Sequence, residues 1–197
     1  MKKFQSLPSG SAQCRLTTPL GPMTALSTPA GLAGLWFEGQ AHHPGPLNVP
    51  KDPHDPPRHP HLRAARDWLD HYWLQGLQGV QGLESPQGGP NRTPPLDLRG
   101  TDFQRAVWAA LLHIAPGTTT TYSALAHQVG SARAMRAVGA AVGRNPVSLI
   151  VPCHRVVGQG GLLTGYAGGL DRKARLLAHE KVATGHVDQT LEIKSPQ

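Results

Sequence analysis

Proline sets the first limit on what this chain can fold into. Residues 42–60 read HHPGPLNVPKDPHDPPRHP, and residues 76–95 read GLQGVQGLESPQGGPNRTPP. Proline lacks a backbone N–H and clashes with the preceding helical turn, so neither stretch suits a helix interior or a central strand. The first is expected to be a surface loop. Its histidines are irregularly spaced, which favours a solvated loop over a metal site. The second has the composition of a linker, so a domain boundary is placed there. Regular structure is thereby confined to the windows around these two stretches.

Before the first stretch, GPMTALSTPAGLAGLWFEG (21–39) predicts two short strands, Met23–Ser27 and Leu32–Phe37, around a TPAG turn. Between the two stretches, Leu62, Ala65, Leu69, Tyr72 and Trp73 recur at helical spacing and predict one helix over residues 61–76. The 197 residues leave room for a real core in one or two domains. No run is long and apolar enough to span a bilayer. The opening MKKFQSLPSGSAQCRL has two lysines but no apolar stretch that would make a signal peptide. A soluble cytoplasmic protein is the expectation.

After residue 95 the character changes. Thr101 and Gln104 form a capping-box pattern ahead of Phe103, Val107, Leu111 and Ile114, and APGT (115–118) stops that helix. A short helix is expected from about Tyr122 to Val129, then a turn at Gly130 and Ser131. A third helix should run from about Ala132 to Gly143 and end before Pro146. Short helix, glycine turn, longer helix is the helix-turn-helix pattern. The third helix is mostly Ala, Gly and Val with arginines at intervals. Such a slim helix suits tight core packing on one face. It also suits approach to the minor groove of DNA, about 6 Å wide, with Arg136 central.

Charge points the same way. The net charge is +7. Between Phe103 and Arg175 stand Arg105, Arg133, Arg136, Arg144, Arg155, Arg172, Lys173 and Arg175 against one acid, Asp171. The preceding half is nearly balanced. A nucleic-acid face, if present, belongs to the C-terminal half; a solvated basic surface is the plain alternative.

Two cysteines, Cys14 and Cys153, make no disulfide framework, and no CxxC pair offers a zinc site. Cys153 lies in VPCHRVV (151–157), after VSLI, which with Val151 reads as a buried strand. Three readings are open: a small core residue, a metal ligand or a nucleophile. The metal reading is weakest, because no second cysteine or spaced histidine is near in sequence. A nucleophile needs thiolate character, and a free cysteine has a pKa of about 8.5. His154 and Arg155 are adjacent and permit activation, given a carboxylate to orient the histidine. Glu180, in LDRKARLLAHE, is a candidate that spacing alone does not place.

PCHRVVG, preceded by RAVGAAVGRNP and followed by TGYAGG and LLAHE, resembles the O6-alkylguanine-DNA alkyltransferases, or methylated-DNA–protein-cysteine methyltransferases. DLRGTDFQRAVW (97–108) and TTTYSALA (119–126) resemble that family too, and PLGPMTALSTPAGLAGLWFEGQ (19–40) does so more loosely. The resemblance spans nearly the whole chain except the Pro/His loop, the linker and the tail. It implies an α/β protein: a small N-terminal α/β domain, ribonuclease H-like, over residues 1–95 with the loop 42–60 and linker 77–95. A winged-helix-like helix-turn-helix domain carrying the active site would cover 96–185, followed by a tail over 186–197.

The resemblance also implies roles. Cys153 would accept the alkyl group, His154 would deprotonate it through a water, and Glu180 would orient His154. Asn145 matches the hinge asparagine that braces the turn between recognition helix and active-site strand. Tyr122 matches the tyrosine that helps rotate the nucleotide and donates to guanine N3. Arg136 matches the finger that fills the space left by the flipped base, and Ser123 and Ser131 fall at DNA-contacting positions. Tyr166, Gly168 and Gly169 belong to the loop over the pocket. Ala167 departs from members with serine there, which leaves only its backbone N–H for the substrate oxygen. The lone Cys14 argues against the zinc site that some members carry, and no cofactor is implied. The implied partner is double-stranded DNA, bound through the minor groove with weak sequence preference by a monomer, with no membrane involved. The implied reaction is single, irreversible alkyl transfer from O6-alkylguanine, and from O4-methylthymine.

Two other classes compete. A non-catalytic alkyl-lesion sensor or helix-turn-helix regulator would bind DNA without modification, and Cys153 argues against it. A cysteine hydrolase would turn over many times, and nothing in the flanking sequence resembles one.

Overall fold

The computed structural model describes residues 4, 6–55, 57–75, 93–131 and 133–180. The tail and nearly all of the expected linker lie outside these described residues. The N-terminal part is an antiparallel sheet in the order β1 (Ala12–Leu16), β2 (Met23–Thr28), β3 (Gly31–Phe37), with α1 (Pro60–Gln75) packed on it. The two expected strands are present, and β1 is an addition. Its short, mixed sequence AQCRL gave little signal, but pairing from Ala12↔Ser27 to Leu16↔Met23 holds it in place.

Every residue of β3 is buried. A register shift between Leu26 and Ser27 breaks the alternation, so apolar residues of GLAGLWF face both sides of the sheet. Leu32, Leu35 and Phe37 join the main core, whereas Ala33 and Trp36 form a second cluster with Phe4 and Leu26. Burial on both faces explains the unbroken apolar run.

The Pro/His stretch covers that second cluster. Leu47 and Val49 pack on it, and the Gln13 amide donates to their carbonyls at 3.0 and 2.9 Å. Asp52 fixes the return: its carboxylate accepts from the backbone N–H groups of His54, Arg58 and His59. These bonds, led by the one from His59, hold its carboxyl well below the usual carboxylate range. The stretch is a loop, as expected, but a pinned one that serves as a wall of the sheet.

In the C-terminal part, α2 (Asp102–Leu111) starts with the expected capping box, Thr101 and Gln104 exchanging both bonds. The helix-turn-helix consists of α3 (Tyr122–Gln128) and α4 (Met135–Gly143). The left-handed Gly130, φ 67°, makes the turn between them. Helix α4 begins later than expected, because Ala134 caps it only as backbone and Ala134 N–H bonds back to Ser131. The Trp108 indole donates to the Ala141 carbonyl at 2.9 Å and locks α2 against α4. A two-stranded parallel pairing of β4 (Thr120–Thr121) with β5 (Val156–Val157) follows, and α5 (Leu170–His179) closes the described chain.

The outer edge of β3 joins the two parts. Leu32 exchanges backbone bonds with Pro95 and Asp97, and Leu35 exchanges them with Pro146 and Ser148. One continuous apolar core runs from Leu16, Leu35 and Leu69 to Val107, Val138 and Leu176. Among the described residues no helix is long and apolar enough to cross a membrane.

Candidate active site

The segment leading to Cys153 is not the expected strand. Only Val147 makes a bridge, to Leu35 of β3, and turns follow through Ile150. Ile150 N–H bonds to the Ser148 carbonyl at 3.0 Å, closing a three-residue turn around Leu149. Leu149 sits at φ 73°, a strained conformation for a residue with a side chain. A second tight turn, Cys153 N–H to the Val151 carbonyl at 2.8 Å, follows at Pro152. The apolar run is bounded by Pro146 and Pro152, too short for a ladder, so a side chain supplies the missing partners. Asn145 Oδ1 accepts from Val147 N–H at 3.0 Å, and its Nδ2 donates to the Val151 carbonyl at 2.7 Å and to Cys153 Sγ at 3.0 Å.

Cys153, His154 and Arg155 form one short helical turn, and all three are buried. His154 Nε2 lies 2.9 Å from Glu180 Oε1. Arg155 grips the same carboxylate in bidentate fashion, at 2.8 and 2.9 Å, and also donates to the Ile114 carbonyl. The Tyr72 hydroxyl, from α1, donates to Oε1 at 2.9 Å. Glu180 is the hub of this cluster and is 2 % exposed. Burial opposes its charge, but His154 and Arg155 outweigh that and hold its pKa well below the usual range. Burial pushes the His154 pKa down despite Glu180, so the ring is neutral near pH 7. Its Nδ1 is buried and takes no hydrogen bond from the described residues. Burial raises the Cys153 thiol, and the Asn145 bond and the charge of Lys173 oppose that rise.

Lys173 is fully buried in α5. Its ammonium donates to the carbonyls of Val156 and Thr164 at 2.5 and 2.6 Å. Burial brings its pKa down to about 8, with the Cys153 charge pulling the other way. Tyr122 reaches the same loop from the first turn of α3: its hydroxyl donates to the Gly165 carbonyl at 2.9 Å. Burial pushes the Tyr122 pKa up to about 12. A Cβ at Gly168 would fall 2.6 Å from the Tyr166 ring, which explains the glycine. Ala167 is tied to the sheet part by its carbonyl, which accepts from Ala41 N–H at 2.9 Å.

The structure therefore brings together Cys153, His154, Glu180 and Asn145, with Tyr122 and the Tyr166–Gly168 loop beside them. Arg136 and Ser123 lie apart from this cluster, exposed on α4 and α3, and Ser131 is half-buried in the turn. Tyr72 and Lys173 are additions that motif reading missed. Tyr72 looked like one more member of an apolar stripe, and Lys173 like surface charge. Arg155 and Lys173 are buried, Arg172 is half-buried and Arg105 pairs with Asp102. Between Phe103 and Arg175 the exposed basic residues without such a partner among the described residues are Arg133, Arg136, Arg144 and Arg175, not the full set counted from sequence.

The structure combines a helix-turn-helix with a buried cysteine and a histidine–glutamate pair, the combination expected of a DNA-binding class that carries a nucleophile. Comparison with known proteins gives the class a family. Residues 102–182 match the family described as 6-O-methylguanine DNA methyltransferase, DNA binding domain. The methylated-DNA–protein-cysteine methyltransferases of Mycobacterium tuberculosis and Mycobacterium bovis are 40% identical over 166 residues, 84% of this chain and 90% of theirs. A crystal structure of Mycobacterium tuberculosis OGT in complex with DNA superposes with a TM-score of 0.71 at 38% identity, covering 86% of this chain and 92% of that one. The chain belongs to the methylated-DNA–protein-cysteine methyltransferase family.

Proposed function

We propose that this protein repairs DNA by moving one alkyl group from guanine O6, and from thymine O4, to Cys153. The observation that carries this reading is the buried run Asn145–Cys153–His154–Glu180, which begins directly after the last helix of the helix-turn-helix. Neutral His154, held through Nε2 by Glu180, has Nδ1 available to take the thiol proton through a water. The thiolate then attacks the alkyl carbon in line. The C–O bond breaks as the C–S bond forms, and the leaving guanine is met by a hydrogen bond from Tyr122. That hydroxyl exchanges the Gly165 carbonyl for the base. The lesion must leave the duplex to reach a buried thiol, at a cost of a few kcal/mol.

Arg136, exposed on α4, is the side chain we assign to the space left by the flipped base, with Ser123 and Ser131 at the backbone. Binding is through the minor groove with little sequence preference, by a monomer in the cytoplasm. The Tyr166–Gly168 loop forms the pocket wall, with the Ala167 backbone in place of a serine hydroxyl. The protein comprises a sheet domain, 1–95, a catalytic domain, 96–185, and a tail, 186–197. A thioether is a poor leaving group, so each molecule acts once.

Intact mass spectrometry after mixing with excess methylated duplex tests the reading. One added CH2 per molecule, mapped to Cys153, is expected. Methyl on Cys14, or catalytic turnover, overturns it. DNA binding with no modification would instead favour the lesion-sensor reading.

A further inference from the structure

Two consecutive residues at the end of α5 hold the two ends of one tyrosine in α1. The His179 ring nitrogen meets the Tyr72 backbone carbonyl at 2.9 Å, and the Glu180 carboxylate accepts the Tyr72 hydroxyl at 2.9 Å. The ring between them is fully buried, stacked on Trp68 with centroids 5.2 Å apart and tilted against His179 at 5.0 Å. Glu180 is also the C-cap of α5. A carboxylate there meets the negative end of the helix dipole and gains nothing from the backbone. Among the described residues its charge rests on side-chain donors, and three of them crowd Oε1: Tyr72, His154 and Arg155.

We infer that Tyr72 is a positioning residue for alkyl transfer, through which the N-terminal sheet part sets both the place and the basicity of His154. The inference rests on the proposed roles of Cys153, His154 and Glu180. By sharing Oε1, the Tyr72 hydroxyl weakens the pull of Glu180 on the His154 ring proton. The imidazole then stays neutral at rest and ready to accept the thiol proton. Without the hydroxyl, Glu180 would draw the ring toward imidazolium. Among the described residues, the other charged or titratable groups facing His154 are Arg155 and Lys173, both of which oppose its protonation, and the Cys153 thiol beside it. Glu180 is faced in addition by the phenol of Tyr166. None of these is removed by a change at Tyr72.

Tyr72→Phe keeps the ring stacked and deletes only the donor. The single-turnover rate on methylated duplex, measured against pH at saturating DNA, should fall off at higher pH than in the wild type. The acid limb should move up by roughly one unit, the size expected for one hydrogen bond to a charged group. The imidazole nitrogen shifts of His154, followed by NMR, should report the same displacement, and the DNA dissociation constant should not change. In a Glu180→Gln background the same substitution should have no further effect on the pH profile. An unmoved acid limb in Tyr72→Phe, or an equal shift with and without Glu180, overturns the inference. Melting of Tyr72→Phe separates simple loss of fold, which would lower the active fraction without moving the limb. If wild-type Cys153 takes no methyl, the underlying reading fails; if it does and Tyr72→Phe matches the wild type, only this inference fails.

Discussion

In the short helical turn after Pro152, Arg155 is closed off from solvent, with a bidentate bond to Glu180 and another bond to the Ile114 carbonyl. On the outer face of α4, Arg136 is exposed. Both are arginines in a basic stretch of sequence, and they act on different links of the chain from structure to function. The inner site is closed and bonded: Glu180 receives four donated bonds, and Asn145 uses both ends of its amide. Among the described residues the buried His154 Nδ1 is left without a bond. The outer face is left open, so its side chains are free to meet a partner. Charge summed over sequence does not distinguish the two uses, because a buried arginine and an exposed one count alike.

The contrast is sharpest at Cys153. Cys153→Ala should abolish alkyl transfer completely, while DNA binding through the outer face persists; mass spectrometry and a binding isotherm on the same sample check both. Loss of binding with the thiol would mean that the two regions are not separable. The next largest effect belongs to Arg155→Ala. Removing one partner of a buried ion pair leaves an uncompensated charge, and such changes cost about 3–5 kcal/mol. Denaturant unfolding should show that loss, and repair should fall with it. A variant that unfolds like the wild type would show that Glu180 is adequately held by His154 and Tyr72 alone.

An intermediate effect is expected from the reaction itself. Cys153 is 4 % exposed and follows strained Leu149 and two tight turns braced by Asn145. Added carbon overpacks such a site by about 1–3 kcal/mol. For a chain of this size that lowers Tm by about 2–4 °C per kcal/mol. Melting of free, methylated and benzylated protein should give a graded series, with benzyl lowest. Three equal melting points would show that the pocket holds the product without strain.

How much of this was legible in the sequence follows the same division. The helix-turn-helix, the capping box at Thr101 and two of the sheet strands were readable because local periodicity and turn chemistry specify them. The cysteine, histidine, asparagine and glutamate were readable through a motif. Their geometry was not. The stretch before Cys153 has the composition of a strand, yet Pro146 and Pro152 shorten it, and Asn145 replaces a ladder that only the folded chain reveals. Tyr72 and Glu180 are distant in sequence, so nothing local marks Tyr72 as more than core. The Pro/His stretch looked like solvated loop because its composition forbids regular structure. Composition does not show that Gln13 and Asp52 pin it across the sheet.

The smallest effect on the fold should come from the outer face. Arg136 is exposed and has no ion-pair partner among the described residues, so Arg136→Ala should leave Tm unchanged, as surface substitutions usually stay within about 0.5 kcal/mol. Its effect should appear only where DNA is present as a duplex. Transfer from methylated duplex should slow much more than transfer from the free O6-alkylguanine base, because the role proposed for the side chain is to support the flipped state and not the methyl-transfer step. Each phosphate contact contributes about −0.9 to the slope of log affinity against log salt. Arg133→Ala and Arg144→Ala should each flatten the slope by about that amount if their side chains meet phosphates. Arg136→Ala should flatten it less, because a side chain inserted in the base stack neutralises no phosphate. An equal loss of rate on duplex and free base would show that Arg136 supports the site from within. The distinction between a closed interior and an open face would then fail at its central residue.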